Sequence, residues 1–166
     1  MIVLGIDPGT ANTGFGVVRR SASRTVALDG GVIRTSAATP EAQRLTAIHA
    51  RVGELLDEHA PDAVALEDVY FGVNASSAFA VGQARGVIML AAGERGITCC
   101  SYTPQQVKSA VCGSGRAGKE QVQRMVQTLL ALPEPPRPDH AADALAVAIC
   151  HLNAAPLAAA LAAAAR

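Results

Sequence analysis

Two acidic residues each end a short run of apolar residues. Asp7 closes a run that begins at Ile2 and is followed by a Pro-Gly turn, and Glu67 closes a second run over 63–67. A short apolar run bounded by turn residues is typical of a strand that is buried on both faces. Because a buried carboxylate loses its hydration, it is usually paired with a cation or bound to a metal. Asp7 and Glu67 are therefore the first candidates for chemistry.

A second pair of candidates lies near the carboxyl end of the chain. His140 and Asp143 are three residues apart and share one face of a predicted helix, whereas Asp139, which follows a proline, is expected to cap that helix. Mg²⁺ prefers carboxylate oxygens, and neutral imidazole suits transition metals. Taken singly, Asp7 could cap a turn, Asp143 could favour the helix N-terminus and His140 could be solvated. Together with the strand-end carboxylates, the pair predicts one divalent-metal site.

The order of predicted elements indicates an α/β fold that would bring these groups together. We predict strands over 2–7, 15–20, 25–35, 63–67 and 97–102, and helices over 40–59, 75–94, 104–111, 119–132 and 139–152. Three successive strands favour an antiparallel meander, and the later βα units complete a mixed five-stranded sheet. The first and fourth strands are the most apolar, so we expect them to be central neighbours with Asp7 beside Glu67. Two such charges repel each other unless a cation bridges them.

Three local features are also predicted. Residues 29–31 are expected to kink the third strand. The apolar periodicity of the helix over 119–132 directs five side chains inward, namely Val122, Met125, Val126, Leu129 and Leu130. Residues 1–153 are long enough for one domain with a sizeable core, and the Ala-rich residues 154–166 are expected to form a helical extension or a mobile tail without chemistry.

Composition limits the classes of protein to which the chain can belong. Its 14 basic and 14 acidic side chains cancel, so any nucleic-acid binding would rest on local basic clusters. No apolar run reaches the roughly 20 residues of a membrane span, and no charged segment before Ile2 indicates a signal peptide. The four cysteines lack zinc-finger spacing, so we expect reduced thiols in a cytosolic protein and no zinc site.

An ordered series of motifs resembles the RuvC-type Holliday junction resolvases, which belong to the ribonuclease H-like superfamily. The matching segments are IVLGIDPGTANTGFGV (2–17), ALEDVY (65–70), Asn74, GQARG (82–86), YTPQQVK (102–108), GKEQV (118–122) and HAADALA (140–146). The opening motif alone is weakly specific, whereas the full series at these spacings is strongly specific. The resemblance implies a ribonuclease H-like fold, a mixed sheet with helices on both faces.

The resemblance also implies a site. Asp7, Glu67, His140 and Asp143 would be the catalytic, metal-binding residues, with two Mg²⁺ or Mn²⁺ ions. Many members of the family have aspartate where this chain has His140, which removes one negative charge. The imidazole could instead bind one ion or orient the attacking water.

The remaining implications concern DNA and partners. The resemblance implies that Tyr70, with Phe71 as the alternative, stacks on unpaired bases at the crossover. Four cations are expected to contact the DNA backbone, namely Lys108, Lys119, Arg85 and Arg116. The implied reaction is a pair of symmetric nicks that leave 5′-phosphate and 3′-hydroxyl ends, in recombination and repair. We also expect a C2 homodimer with the apolar helix over 75–94 at the interface. The resemblance implies a branch-migration helicase complex of the RuvA and RuvB type as a partner, and we expect the protein in the cytoplasm.

Three alternatives remain open at this point. The segment over 5–10 resembles the phosphate loop of sugar kinases and actin-like proteins, although that class needs two such domains. An RNA-processing nuclease of the same superfamily would use a similar site. A DNA-binding scaffold without catalysis is favoured only by His140.

Overall fold

The computed structural model describes residues 1–22, 24–68 and 75–164, with the backbone alone for 75–77 and 156–164. Five strands and five helices follow one another along the described chain. They are β1 (Ile2–Asp7), β2 (Asn12–Arg20), β3 (Thr25–Arg34), α1 (Glu41–His59), β4 (Ala63–Glu67), α2 (Ala75–Gly93), β5 (Thr98–Tyr102), α3 (Pro104–Cys112), α4 (Lys119–Leu129) and α5 (Asp139–Ala164).

The strands form one mixed sheet in the order β3-β2-β1-β4-β5. The β1–β2 and β2–β3 pairs are antiparallel, and the β1–β4 and β4–β5 pairs are parallel. In the central parallel pair, Ile6 lies opposite Leu66. The predicted meander, the two added parallel strands and the central position of β1 beside β4 are therefore confirmed.

Helices cover both faces of the sheet, as expected. Because side chains alternate along a strand, Leu4 and Ile6 of β1 pack with α1 and α2, whereas Val3 packs with α3, α4 and α5. The long α5 contacts all five strands and packs most extensively on β1 and β2. Burial on both faces explains why β1 is a continuous apolar run.

Two glycines allow α5 to lie directly against the sheet. A Cβ at Gly14 would overlap the carbonyl oxygen of His140, and a Cβ at Gly5 would overlap that of Ala144. The backbones of β1 and β2 therefore touch the backbone of the first turns of α5. This contact fixes the distance between the start of α5 and the sheet.

Several predicted boundaries are corrected by the structure. The second strand begins at Asn12, not at residue 15, because Asp7 already pairs with Gly14 and the connecting turn is short. The irregularity in β3 falls at Leu28, the unpaired residue between the partners of Val17 and Val18, just before the predicted kink. The last helix continues through Ala164, since alanine is the strongest helix former.

The inward face predicted for the fourth helix is wrong at Leu129. The helix ends there, the backbone of Leu130 departs from helical angles, and Leu130 turns into the core while Leu129 is 40% exposed. Periodicity assumes a continuing helix, so it fails at the last residue. None of the helices within the described ranges is long and apolar enough to cross a membrane. All four cysteines lie in described residues, and each is a free thiol.

Candidate active site

Asp7 and Glu67 end neighbouring parallel strands at the same edge of the sheet. Because Ile6 pairs with Leu66, the next residue of each strand lies beside the other. Strand alternation places both carboxylates on the face that α5 covers, in line with Gly5 and Ala65. The structure thus brings together the two carboxylates that the sequence placed at strand ends.

The first turn of α5 adds His140 and Asp143 to this edge. His140 Nδ1 lies 2.7 Å from Asp7 Oδ2. A carboxylate accepts hydrogen bonds, so the imidazole donates its Nδ1–H, and in the neutral ring the lone pair is then on Nε2. The imidazole is 44% exposed, whereas the Asp7 side chain is only 18% exposed. His140 therefore covers Asp7 and presents Nε2 as a free ligand atom at the mouth of the site.

The carboxylates repel one another strongly. Burial first, and then the charges of Asp7 and Asp143, raise the pKa of Glu67 to about 8, although Lys108 opposes the shift. Burial and the charge of Asp7 also raise the pKa of Asp143, against the opposing effects of Lys119 and His140. A divalent cation would remove this repulsion, and three oxygen donors with one imidazole suit such an ion.

The side chains do not yet enclose a metal ion. Within the described part of the chain, no three histidine, cysteine, aspartate or glutamate side chains converge closely enough to hold one. His140 and Asp7 bond directly to each other instead. The strand pairing places Glu67 beside Asp7, and the first turn of α5 places Asp143 near both, so these are the side chains that would hold an ion.

Lys119 stands at the first residue of α4 and faces the start of α5. Its Nζ lies 2.9 Å from Asp139 Oδ2 and 4.0 Å from Asp143 Oδ2. Gln123 Nε2 also donates to Asp139 at 2.8 Å. Asp139 is the first residue of α5, not the residue before it, and these two contacts replace the predicted capping role. Asp139 thus holds α4 against α5 and leaves Asp143 to the site.

The other expected DNA contacts occupy different positions. Lys108, on α3, is close enough to Glu67 to oppose the rise of its pKa. Arg116 is exposed in the loop between α3 and α4. Tyr70, like its alternative Phe71, lies outside the described residues. A cleft of about 690 Å³ opens beside His140 and is lined by Lys119, Gln123, Arg137, Pro138, Asp139 and His140.

Arg85 differs from the other cations because its guanidinium points inward. The side chain is only 14% exposed. Nη1 donates to the main-chain oxygen of Glu67 at 2.6 Å, and Nη2 donates to Ser101 Oγ at 2.9 Å. This arrangement favours a role inside the protein over the predicted contact with DNA.

Sequence reasoning missed the polar groups that hold the turn after β1. Thr13 donates to the Gly9 carbonyl, Thr35 donates to the Thr10 carbonyl, and Arg44 donates to Thr35. These bonds anchor the chain immediately after Asp7. Arg44 lies off the apolar face of α1, so the periodicity gave no signal for its inward contact.

Three carboxylates and an imidazole at a sheet edge, with basic groups beside them, are the side chains that metal-assisted phosphodiester hydrolysis would need. Comparison with known proteins agrees with this chemistry. The family model described as crossover junction endodeoxyribonuclease RuvC matches residues 3–151 of the chain.

Individual relatives match over nearly the whole chain. A crossover junction endodeoxyribonuclease RuvC from Moorella thermoacetica is 54% identical over 156 residues, which cover 94% of this chain and 93% of that protein. One from Pelotomaculum thermopropionicum is 52% identical over 153 residues, which cover 92% and 93%. The structure of T. thermophilus RuvC in complex with Holliday junction substrate has a TM-score of 0.91 at 44% identity, covering 95% of this chain and 96% of that one.

Proposed function

Because the chain belongs to the RuvC family of crossover junction endodeoxyribonucleases, we propose that Asp7, Glu67, His140 and Asp143 form its hydrolytic centre. The protein is a structure-specific endonuclease that resolves four-way (Holliday) DNA junctions in recombination and repair. The observation that carries the residue assignment is the clustering of partly buried carboxylates that raises the pKa of both Glu67 and Asp143. Such a cluster destabilises a metal-free fold and is relieved by cations. We assign this centre to a nuclease domain over 1–153.

The enzyme depends on a divalent metal, and we infer two Mg²⁺ or Mn²⁺ ions per site. When bound, such ions supply a nucleophilic water, hold the leaving oxygen and neutralise charge in the transition state. Asp7, Glu67 and Asp143 would hold them through oxygen. His140 would keep its Nδ1–H on Asp7 and offer Nε2 as a ligand. A nitrogen ligand favours Mn²⁺ over Mg²⁺, whereas a fourth carboxylate would suit both metals.

Basic side chains around the carboxylates would hold the substrate phosphate. Lys108 and Lys119 flank the site from α3 and α4, and Arg116 is exposed in the loop between them. A phosphate that enters between the lysines would compete with Asp139 for Lys119. We place Tyr70 at the crossover, where its ring would stack on unpaired bases.

An apolar surface on α2 supports the inferred homodimer. Phe79 is 69% exposed and Leu90 is 55% exposed, and the open Gly82 and Gly86 lie between them on the same side of the helix. Residues at these spacings form one stripe, and small residues in it let two helices approach closely. A C2 dimer would present two sites to the two strands that must be cut. We also infer a cytoplasmic setting and a helicase complex of the RuvA and RuvB type.

One assay tests the substrate and the metals together. The purified protein is incubated with a four-way junction, a linear duplex and a structured RNA of matched length, each with Mg²⁺, Mn²⁺ or EDTA. We expect paired, symmetric nicks in the junction with a divalent metal and none with EDTA.

Each contrary outcome points to a different class. Cleavage of the RNA but not the junction would favour the RNA-processing alternative, and tight junction binding without nicks under either metal would favour a scaffold. Turnover of ATP would favour the kinase-like alternative.

A further inference from the structure

Arg85 connects three elements at the point where β4 leaves the sheet. It lies near the middle of α2, and its guanidinium donates to the main-chain oxygen of Glu67 and to Ser101 Oγ of β5. Nη2 also lies 3.5 Å from Asp68 Oδ1. The fork of an arginine is planar and presents several donors in a fixed geometry, so these bonds fix the relative positions of β4, β5 and α2.

Glu67 is the last residue of β4. The Asp68 N–H still donates to the main-chain oxygen of Tyr102 in β5 at 2.8 Å, and the Glu67 carbonyl accepts from Arg85. The Glu67 side chain faces α5, whereas α2 packs on the opposite face of the sheet. Arg85 thus reaches the main chain of Glu67 at the sheet edge without entering the carboxylate cluster. The Glu67 side chain lies within hydrogen-bond reach of Asp7 and close to Asp143. A fixed main chain limits how far the Glu67 carboxylate can withdraw.

We propose that Arg85 is a positioning residue that holds the main chain of Glu67 so that its carboxylate stays available as a metal ligand. The inference rests on the proposed role of Glu67, and it replaces the DNA contact expected for Arg85. Arg85 would act on the metal site indirectly, by holding the main chain of the ligand residue Glu67. Removal of such a support typically lowers metal affinity or activity by about 10–100-fold.

The test compares Arg85→Gln and Arg85→Lys with the wild type. Mn²⁺ binding to the DNA-free protein is measured by electron paramagnetic resonance, and junction affinity is measured by fluorescence anisotropy in EDTA over a range of salt. Single-turnover cleavage is then followed against Mn²⁺ concentration with enzyme in excess. Arg24→Gln is the matched control, because Arg24 is exposed in the turn at the other end of the sheet.

We expect Arg85→Gln to bind Mn²⁺ about tenfold more weakly and to need correspondingly more Mn²⁺ for cleavage, with junction affinity unchanged. Arg85→Lys should lie between that variant and the wild type, because an ammonium group keeps the charge but cannot reproduce the fork. Arg24→Gln should match the wild type in every measurement. If a thermal unfolding scan shows that Arg85→Gln is not folded, the Mn²⁺ affinity of Arg85→Lys is the measurement that tests the proposal.

Two results would overturn the inference. Unchanged Mn²⁺ affinity in both variants would remove the link to Glu67. Weaker junction binding with a smaller salt dependence, at unchanged Mn²⁺ affinity, would identify Arg85 as a phosphate contact after all. Failure of the proposed function is a separate result, since the wild type would then leave junctions uncut while the Mn²⁺ comparison could still be made.

Discussion

The hydrogen bond between His140 and Asp7 determines which nitrogen of the imidazole can bind a metal. With Nδ1–H donated to the carboxylate, Nε2 carries the lone pair, which is the arrangement common among metal-binding histidines. An imidazole also adds no negative charge to a cluster in which three carboxylates already repel one another. Position 140 therefore relieves the site electrostatically while still offering a ligand atom.

Replacement of His140 by aspartate tests this role. We expect His140→Asp to retain cleavage and to shift the ratio of Mg²⁺-supported to Mn²⁺-supported rates toward Mg²⁺ by about tenfold, because an oxygen ligand replaces nitrogen. Acid should inhibit the wild type more than the variant, since a protonated imidazole cannot bind metal. Rates measured under each metal across pH check both points. An unaltered metal ratio would instead assign His140 to orientation of the attacking water.

Replacement of Asp7 by asparagine should separate binding from chemistry. We expect Asp7→Asn to bind the junction as tightly as the wild type or more tightly, because one negative charge near the phosphate is lost. Cleavage should fall to the background, because the central metal ligand is removed. Gel-shift and nicking assays measure the two properties. Asp57→Asn is the control, an exposed aspartate paired with Arg95, and a rate for Asp7→Asn equal to the wild type would exclude Asp7 as a ligand.

The raised pKa of Glu67 predicts how the metal-free protein responds to pH. In the folded state that pKa is about 8, against an ordinary value of 4.5, so the folded protein binds more protons than the unfolded chain between these values. The free energy of unfolding should therefore fall as pH rises from about 4.5 to 8. Glu67→Gln cannot ionise and should lose less stability over this window, by at least about 1.4 kcal/mol, the equivalent of one pKa unit.

Urea denaturation of both proteins in EDTA, at the two ends of this window, measures the difference. Addition of Mg²⁺ at the upper end should stabilise the wild type more than Glu67→Gln. Parallel loss of stability in the two proteins would show that Glu67 is not the group responsible.

At the scale of elements, the site depends on how closely α5 approaches β1 and β2. Gly14 lies beneath the main chain of His140, so the first turn of the helix rests on the strand itself. Gln123 and Lys119 of α4 hold Asp139 from the other side. The start of α5 is thus fixed from the sheet and from a neighbouring helix before any metal binds.

Gly14→Ala should disturb this contact. We expect the added methyl group to lift the start of α5 and to lower the free energy of unfolding by about 1–3 kcal/mol, the usual cost of overpacking a core. Cleavage should fall more than stability alone explains, because His140 and Asp143 move away from Asp7. Gly30→Ala is the matched control on the same sheet, where a Cβ would meet its neighbours only at ordinary distances of 3.7 Å.

Cleavage and urea denaturation, measured on both glycine variants, give the comparison. Equal effects of the two substitutions would show that the contact beneath His140 has no special importance.

The sequence predicted the strands and helices whose buried residues form a hydrophobic pattern. It did not predict the contacts that long polar side chains make. The runs that end at Asp7 and Glu67 predicted both the central strands and their side-by-side carboxylates. The inward guanidinium of Arg85 could not be predicted, because charge and periodicity suit a solvated arginine equally well. Helix ends were also beyond reach, since the periodicity that correctly placed Leu130 inward also placed Leu129 inward, where the helix ends and the side chain is exposed.

At the scale of the whole molecule, the described part of each chain carries the carboxylate cluster of Asp7, Glu67 and Asp143, whereas a junction has two strands to cut. The stripe on α2 that includes Phe79 and Leu90 is the surface that would bring two chains together. The same helix carries Arg85 on its inner side. The proposed subunit contact and the support of Glu67 therefore share a single rigid element.

Leu90→Glu should separate the subunits, because a buried carboxylate without a partner is costly at an apolar contact. We expect a monomer by analytical ultracentrifugation, with paired nicks replaced by single, uncoupled nicks in a supercoiled plasmid that carries a junction. Leu28→Glu on β3 is the matched control, since Leu28 is also exposed and lies on the far edge of the sheet. A variant that remains dimeric would move the interface away from α2.

The glycine contact beneath α5 also limits how the site can be altered by design. Main-chain atoms occupy the space that a side chain at Gly14 would need, so no graded series of larger residues can adjust the gap between helix and sheet. Only the length and type of the ligand side chains can then be varied. An engineer who seeks a different spacing between bound ions must exchange aspartate for glutamate, or imidazole for carboxylate, and leave the scaffold behind them untouched.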